Sequence, residues 1–242
     1  MVNFIILIIL HLLGDFYLQT AKIAKCKNAK MNEDCNQCTK CKEDSKFNSE
    51  YIFLHVFLYC IPFLTLFLMT NWIKAIITII LIVVSHAIID SLSCYVNKRV
   101  KQTIVLIADQ ILHIGVLLLV YRLIDFNSIF YEYVIVVKVI FTVLLLMVPC
   151  SIFISKLFED LFYENIYDVI FDVGSIIGIL ERFLVIIFAL IGEFAAIAII
   201  ITVKTWARTN DLKEKDFRNK YLLGTLASIL LALCCYLLFK FL

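Results

Sequence analysis

Three of the four histidines in this chain have an aspartate four residues away, and all four lie inside apolar stretches of its first half. The pairs are His11 with Asp15 in HLLGD, His86 with Asp90 in HAIID, and Asp109 with His113 in DQILH; His55 stands alone in YIFLHVFLY. A spacing of four puts both side chains on one helix face. With 11 aspartates in 242 residues, chance pairs a given histidine this way about one time in eleven on that helical spacing. Three hits in four exceed that background. Imidazole and carboxylate are the ordinary ligands of borderline divalent metals such as zinc, manganese and iron. Ionisable groups in lipid-embedded segments are expensive and functional by default. His11, Asp15, His55, His86, Asp90, Asp109 and His113 are therefore candidate ligands of one divalent metal, or of two with bridging carboxylates. At least one aspartate should stay uncoordinated as a proton acceptor, and Asp15 or Asp109 is the candidate for that catalytic role. Competing readings of the pairs are interhelical hydrogen bonds that fix a bundle and a proton relay. His55, being alone, reads as a hydrogen-bonding helix contact at least as readily as a ligand. Gln19 and Gln110, each beside a pair, are candidates for orienting ligands.

A second metal-type constellation lies in a hydrophilic loop, CKNAKMNEDCNQCTKC, which carries Cys26, Cys35, Cys38 and Cys41. C-x-x-C-x-x-C with a fourth cysteine nine residues upstream fits a four-thiolate site for zinc or an iron–sulfur cluster. Two disulfides are the alternative if the loop faces an oxidising compartment, and free thiols the third. Cys60, Cys94, Cys150, Cys234 and Cys235 sit in or beside apolar runs, where cysteine acts as a small hydrophobe. In the second half, Lys204 and Arg208 share a helix face at the end of an apolar run. They read either as snorkelling anchors or, with Arg182, as cations that grip a phosphate headgroup. Glu181 and Arg182 also read as a self-satisfied ion pair. Gly174 and Gly178 form a weak G-x-x-x-G contact signal, and Gly224, Thr225 and Ser228 look like close helix packing.

The elements that must position these groups are membrane helices. The chain is 63% hydrophobic, with a mean hydropathy of +0.97, and its 17% of charged residues cluster between long apolar runs. The class is all-α, a polytopic transmembrane bundle of about 6–8 spans by the length a bilayer requires. Candidate spans fall near 3–20, 52–70, 73–93, 103–122, 132–155, 179–203 and 221–242. The first lacks a basic n-region and a small-residue cleavage site, so it is expected to be retained. Pro62 and Pro149 lie inside spans and are expected to kink them rather than end them. Residues 1–125 form a His/Asp-bearing four-span unit with the cysteine loop at 21–50, and residues 126–242 hold the remaining spans.

Lysines in 21–50, the basic group Lys98, Arg99 and Lys101, and six Lys/Arg in 204–220 all ask to be cytoplasmic under the positive-inside rule. Seven simple spans put the last of these outside. A re-entrant or interfacial piece within 156–182 would resolve the conflict. On this topology the polar positions of spans one to four alternate between helix ends and helix starts, so all fall in one leaflet. The imidazoles of His11, His86 and His113 should then lie within roughly 10 Å of one another, the reach of ligands around two metals.

These motifs, in order, resemble a family of uncharacterised bacterial and phage integral membrane proteins known as domain of unknown function 3307. The resemblance rests on HLLGDFYLQ (11–19), the isolated His55, SHAIID (85–90), DQILH (109–113), GILERFL (178–184), the K-x-x-x-R of Lys204 and Arg208, and YLLGTLAS (221–228). It covers nearly the whole chain except the cysteine loop, and it brings no established activity. SHAIID also looks like part of the signature of predicted membrane-bound metal-dependent hydrolases, over the first four spans only; the further His-rich motif of that family has no counterpart here. The residues and the resemblances together point to a metal-dependent hydrolase of a phosphate ester or lipid-like substrate in the plasma (inner) membrane. Its partners would be membrane lipid and a small-molecule or lipid substrate. The net charge of +2 gives no reason to expect nucleic acid. A divalent-cation or proton transporter using the same cluster, and a membrane scaffold with a metal-binding loop, are the alternatives.

Overall fold

In lipid every backbone N–H and C=O must be bonded within the protein, which leaves helices as the solution for long apolar runs. The computed structural model describes residues 1–19, 49–96, 100–127, 130–162 and 173–242, and among them every regular element is helical. Helix α1 (Val2–Leu12) continues into a π-helical turn (Leu13–Tyr17). There follow α2 (Ser49–Phe63), α3 (Leu66–Met69), α4 (Trp72–Val96), α5 (Gln102–Leu123), α6 (Val134–Phe162), α7 (Val173–Leu190), α8 (Phe194–Ala207) and α9 (Lys215–Phe241). Six stretches are long and apolar enough to cross a membrane, whereas Val2–Tyr17 and α8 are shorter. Large apolar side chains such as Phe53, Ile80 and Leu119 are exposed on these helices, as a lipid-solvated surface requires. This is a polytopic helical bundle.

Two local features differ from a simple row of spans. Helix α2 stops at Phe63, directly after Pro62, and α3 resumes at Leu66, with Thr65 Oγ1 donating to Pro62 O at 2.8 Å. Pro149 sits inside α6 without ending it. The larger difference is at 179–203, which forms two helices rather than one. Helix α7 ends at Leu190, Gly192 takes φ of +82°, and α8 begins at Phe194. Only glycine adopts that left-handed backbone without a steric penalty. Glu181 and Lys204, almost equally far in sequence from Gly192, meet at 2.6 Å, so α7 and α8 run antiparallel as a hairpin. Within the stretch expected to hold a re-entrant piece, residues 156–162 continue α6 and 173–182 open α7. The rest of that stretch lies outside the described residues.

The chain divides into two units, Met1–Val137 and Lys138–Leu242. In the first, Leu7 of α1, Phe63 of α2, Met69 of α3, Ile82 of α4 and Leu117 of α5 are buried in one core. Polar contacts tie one end of this unit together. Asn71 Oδ1 caps α4 by accepting from Lys74 N at 2.9 Å, Asn127 N donates to Met69 O at 2.7 Å, and Asn3 Nδ2 donates to Asn127 O at 3.2 Å. Lys74 Nζ also reaches Asp125 Oδ2 at 2.9 Å. In the second unit Leu146 and Cys150 of α6, Val185 and Ile186 of α7, Ile197 of α8, and Ala232 and Cys235 of α9 form the core. The expected close packing at Gly224 is present: a Cβ there would lie 3.1 Å from Phe158 Cζ.

Candidate metal centre

The end of the first unit opposite the Asn3–Asn127 contacts gathers all four imidazoles. Ring centroids of His11 and His113 are 4.9 Å apart, His86 and His113 4.6 Å, His11 and His86 6.2 Å, and His55 and His86 5.1 Å. The three distances among His11, His86 and His113 fall well inside the expected limit. His11, His55 and His86 are fully buried, and Asp15 and Asp90 retain 8% and 4% of their exposure. Convergence follows from antiparallel order: α1 and α4 deliver their pairs near their C-terminal ends, α2 and α5 near their N-terminal ends.

The spacings are compatible with ligands around a cation. Two ligands on one ion at 2.0–2.2 Å in tetrahedral geometry stand about 3.4 Å apart. Asp90 Oδ2 lies 3.1 Å from His55 Nε2 and 3.6 Å from His86 Nε2, while Asp90 Oδ1 lies 3.5 Å from His113 Nε2. Asp15 Oδ1 lies 3.5 Å from His55 Nε2, and Asp109 Oδ2 3.5 Å from His113 Nε2. Three sets of ligand atoms, each within 4.8 Å of one another, result: Asp15, His55, His86 and Asp90; Asp90, Asp109 and His113; and His11, His86 and His113. Asp90 is common to the first two and turns one oxygen to each, so it could contribute a ligand to either group. Among the described residues the buried His113 Nε2 makes no hydrogen bond, although it faces two carboxylate oxygens at 3.5 Å. An orphaned nitrogen at ligand spacing from two carboxylates fits a shared cation. Three carboxylates this deeply buried also call for positive charge to offset them.

Local geometry sets these positions. Leu18 N donates to Leu13 O at 2.9 Å, the i→i+5 bond of a π-turn, a feature frequent at functional sites. The wider turn swings Asp15 toward His55, so that its contact with His11, its partner on the same helix, is looser at 4.0 Å. Gly14 makes the approach possible: a Cβ there would lie 2.7 Å from Tyr59 Cδ2 and 3.1 Å from Tyr59 Cα.

Two residues beyond the His/Asp set organise the centre. Gln110 Nε2 donates to Asp15 Oδ2 at 3.0 Å and to Asp109 Oδ2 at 3.2 Å, which leaves its Oε1 to accept from His11 Nε2 at 3.2 Å. His11 Nδ1 then accepts the Tyr59 hydroxyl at 3.0 Å. Both nitrogens of His11 are thereby engaged, and in this arrangement it orients its neighbours rather than standing ready as a ligand. Tyr59 also stacks on His86 at 3.6 Å with the rings 4° from parallel. Of the two glutamines singled out in the sequence, Gln110 reaches the centre. Tyr59 was not anticipated; its signal is its position four residues after His55, the spacing that marks the other pairs. Ser93 Oγ, donating to Asp109 Oδ1 at 2.5 Å, carried no such signal.

The remaining candidates fall elsewhere. Cys26, Cys35, Cys38 and Cys41 lie outside the described residues. Glu181 and Arg182 do not pair with each other. Adjacent helical residues point in different directions, and Glu181 takes Lys204 while Arg182 donates Nε to Leu146 O at 2.9 Å and Nη2 to Ser151 Oγ at 2.6 Å. Arg208 lies 3.5 Å from Asp211. Among the described residues a Cβ at Gly178 would meet only Arg182 Nη1, at 3.4 Å, rather than a neighbouring helix.

No curated protein and no solved structure matches this chain. A family model described as "Protein of unknown function (DUF3307)" matches residues 3–36 and 34–142. The matched stretches hold every histidine, the three clustered aspartates, Tyr59 and Gln110, and end before the motifs at 178–228. With more than half of its length matched, from the first helix through the whole His/Asp cluster, the chain belongs to the DUF3307 family of proteins of unknown function.

Proposed function

We propose that this protein is an integral membrane metalloenzyme, a hydrolase of a phosphate ester or lipid-like substrate at the cytoplasmic leaflet of the plasma (inner) membrane. The observation that carries the reading is Asp90, whose two oxygens serve two separate ligand groups. Asp15, His55 and His86 would hold one ion with it and His113 a second, with Asp109 left uncoordinated beside that second ion. Bound divalent metal supplies a water of lowered pKa and polarises the substrate. The chain's own part is orientation and proton handling. Gln110 holds Asp15 and Asp109 at fixed positions. Asp109 keeps the most exposed side chain of the three carboxylates, 13% against 9% and 5%, and Ser93 fixes its far oxygen. It is the group best placed to take a proton from an attacking water.

The layer beneath the centre favours an enzyme over a transporter. Between the centre and the polar contacts at the Asn3–Asn127 end lies a core of apolar side chains that includes Leu7, Phe63, Ile82 and Leu117, whereas a conducting path needs polar groups across the membrane. The test is metal analysis of purified protein, wild type and His86→Ala, paired with hydrolysis of phosphate monoesters, diesters and short-chain phospholipids with and without chelator. Metal-dependent release of phosphate or headgroup by wild type alone supports the reading. Metal that is bound, with no turnover of any substrate class but with flux across proteoliposomes, replaces it with transport.

A further inference from the structure

The second unit contains a cavity of about 460 Å³ walled by α6, α7 and α9 and reached by the C-terminal end of α8. Its volume falls in the range of small-molecule sites. Four cations line it, Arg182, Lys204, Arg208 and Lys220, against one carboxylate, Glu181. Lys204 holds Glu181, and Arg208 holds Asp211. Arg182, at 2% exposure, is satisfied only by neutral acceptors among the described residues: Leu146 O, Met147 O, Ser151 Oγ and Ser228 Oγ. A guanidinium buried in an apolar helical unit without a carboxylate is costly unless an anion reaches it.

Two further observations mark where that anion would sit. Thr225 Oγ1 is buried on the cavity wall and has no hydrogen-bond partner among the described residues, although a buried hydroxyl ordinarily finds one. Gly178 keeps the space beside Arg182 Nη1 free of a side chain, since a Cβ there would lie 3.4 Å from it. The wall also carries Ile154, Phe158, Ile177 and Phe217, so the space has an apolar part beside its cationic part. We propose that this cavity binds a phosphate-headed lipid, its phosphate taken by Arg182 and Thr225 with the outer lysines and Arg208, and its apolar chain lying against the Ile154 and Phe158 side. The site lies wholly within the second unit and does not rest on the metal-centre reading.

The test uses the full chain in detergent, with binding of short-chain phosphatidic acid measured against short-chain phosphatidylcholine, glycerol phosphate and inorganic phosphate. Phosphatidic acid should bind best. Thr225→Val removes only an unpartnered hydroxyl, so it should melt at or above wild type while losing about tenfold in affinity, the worth of one hydrogen bond to a charged group. Gly178→Leu should fill the space before Arg182 and abolish binding with helicity unchanged. Equal binding of phosphatidic acid and phosphatidylcholine, or unchanged affinity in both variants, overturns the site. Inorganic phosphate or glycerol phosphate binding as tightly as the lipid overturns the lipid assignment and leaves a soluble anion as the ligand.

Discussion

At the scale of single residues the centre is a balance of buried charge, and Asp90 is its pivot. Three carboxylates within reach of one another repel when no cation lies between them. Asp90→Asn should therefore remove metal-dependent turnover yet melt, in chelator, at or above wild type. Added metal should stabilise wild type only, by about 2.7 kcal/mol at a hundredfold excess over its dissociation constant. If the variant melts well below wild type in chelator, and metal stabilises neither, the pairs are structural hydrogen bonds. Tyr59 acts one step further out. Tyr59→Phe keeps the ring on His86 but releases His11 Nδ1, and loss of such a supporting contact costs roughly 10–100-fold in metal affinity. Titration of metal into the apo variant checks this; unchanged affinity would show that His11 needs no fixing. The i,i+4 pairs made six of the charged and imidazole members legible in the sequence, and His55 stood out by its isolation in an apolar run. The role of His11 was not, because its engagement depends on Gln110 and Tyr59, which arrive from two other helices.

Elements carry the second set of consequences. The π-turn at Leu13–Tyr17 and Gly14 work together, since the first aims Asp15 and the second lets α1 touch α2 at Tyr59. Gly14→Ala should force the segments apart, destabilise by about 1–3 kcal/mol as overpacking does, and lower metal occupancy. Thermal melting with metal analysis checks it, and full occupancy at wild-type stability would mean the contact is slack. HLLGD reads in sequence as ordinary helix, because a π-turn differs from an α-turn by one residue and leaves no mark in apolar periodicity. The α7–α8 hairpin was hidden for a related reason. An unbroken apolar run looks like one span, and only Gly192 with Glu193 interrupts FLVIIFALIGEFAAIAIII (183–201).

For the molecule as a whole, that hairpin changes the count of membrane segments. One more reversal of the chain lets both Lys101 and the basic 204–220 stretch face the cytoplasm, as the positive-inside rule asks. Helix α8, with 14 residues, is about 21 Å long against a hydrocarbon core of about 30 Å, so a crossing by α8 would need its C-terminal end extended by Lys204 and Arg208. Single cysteines in a background lacking the native ones give the test. Lys101→Cys and Lys213→Cys should react with an impermeant thiol reagent from one side, Asn71→Cys and Glu193→Cys from the other. Lys213→Cys labelling from the Asn71→Cys side would return the hairpin to a single crossing. Helical class and membrane residence were plain from composition, which fixes burial in lipid; chain reversals were not, because lipid-facing apolar residues look alike in either direction.

The apolar layer below the histidines has an electrical consequence as well. A charge carried through a membrane does work of about 2.3 kcal/mol per 100 mV, but an ion, proton or substrate entering and leaving by the same mouth traverses only a small part of that drop. The apolar core around Leu7, Phe63 and Leu117 stands in the remainder. Turnover in proteoliposomes should therefore be the same with and without an imposed potential. A rate that follows the voltage would mean that the layer opens and that the centre faces both sides in turn.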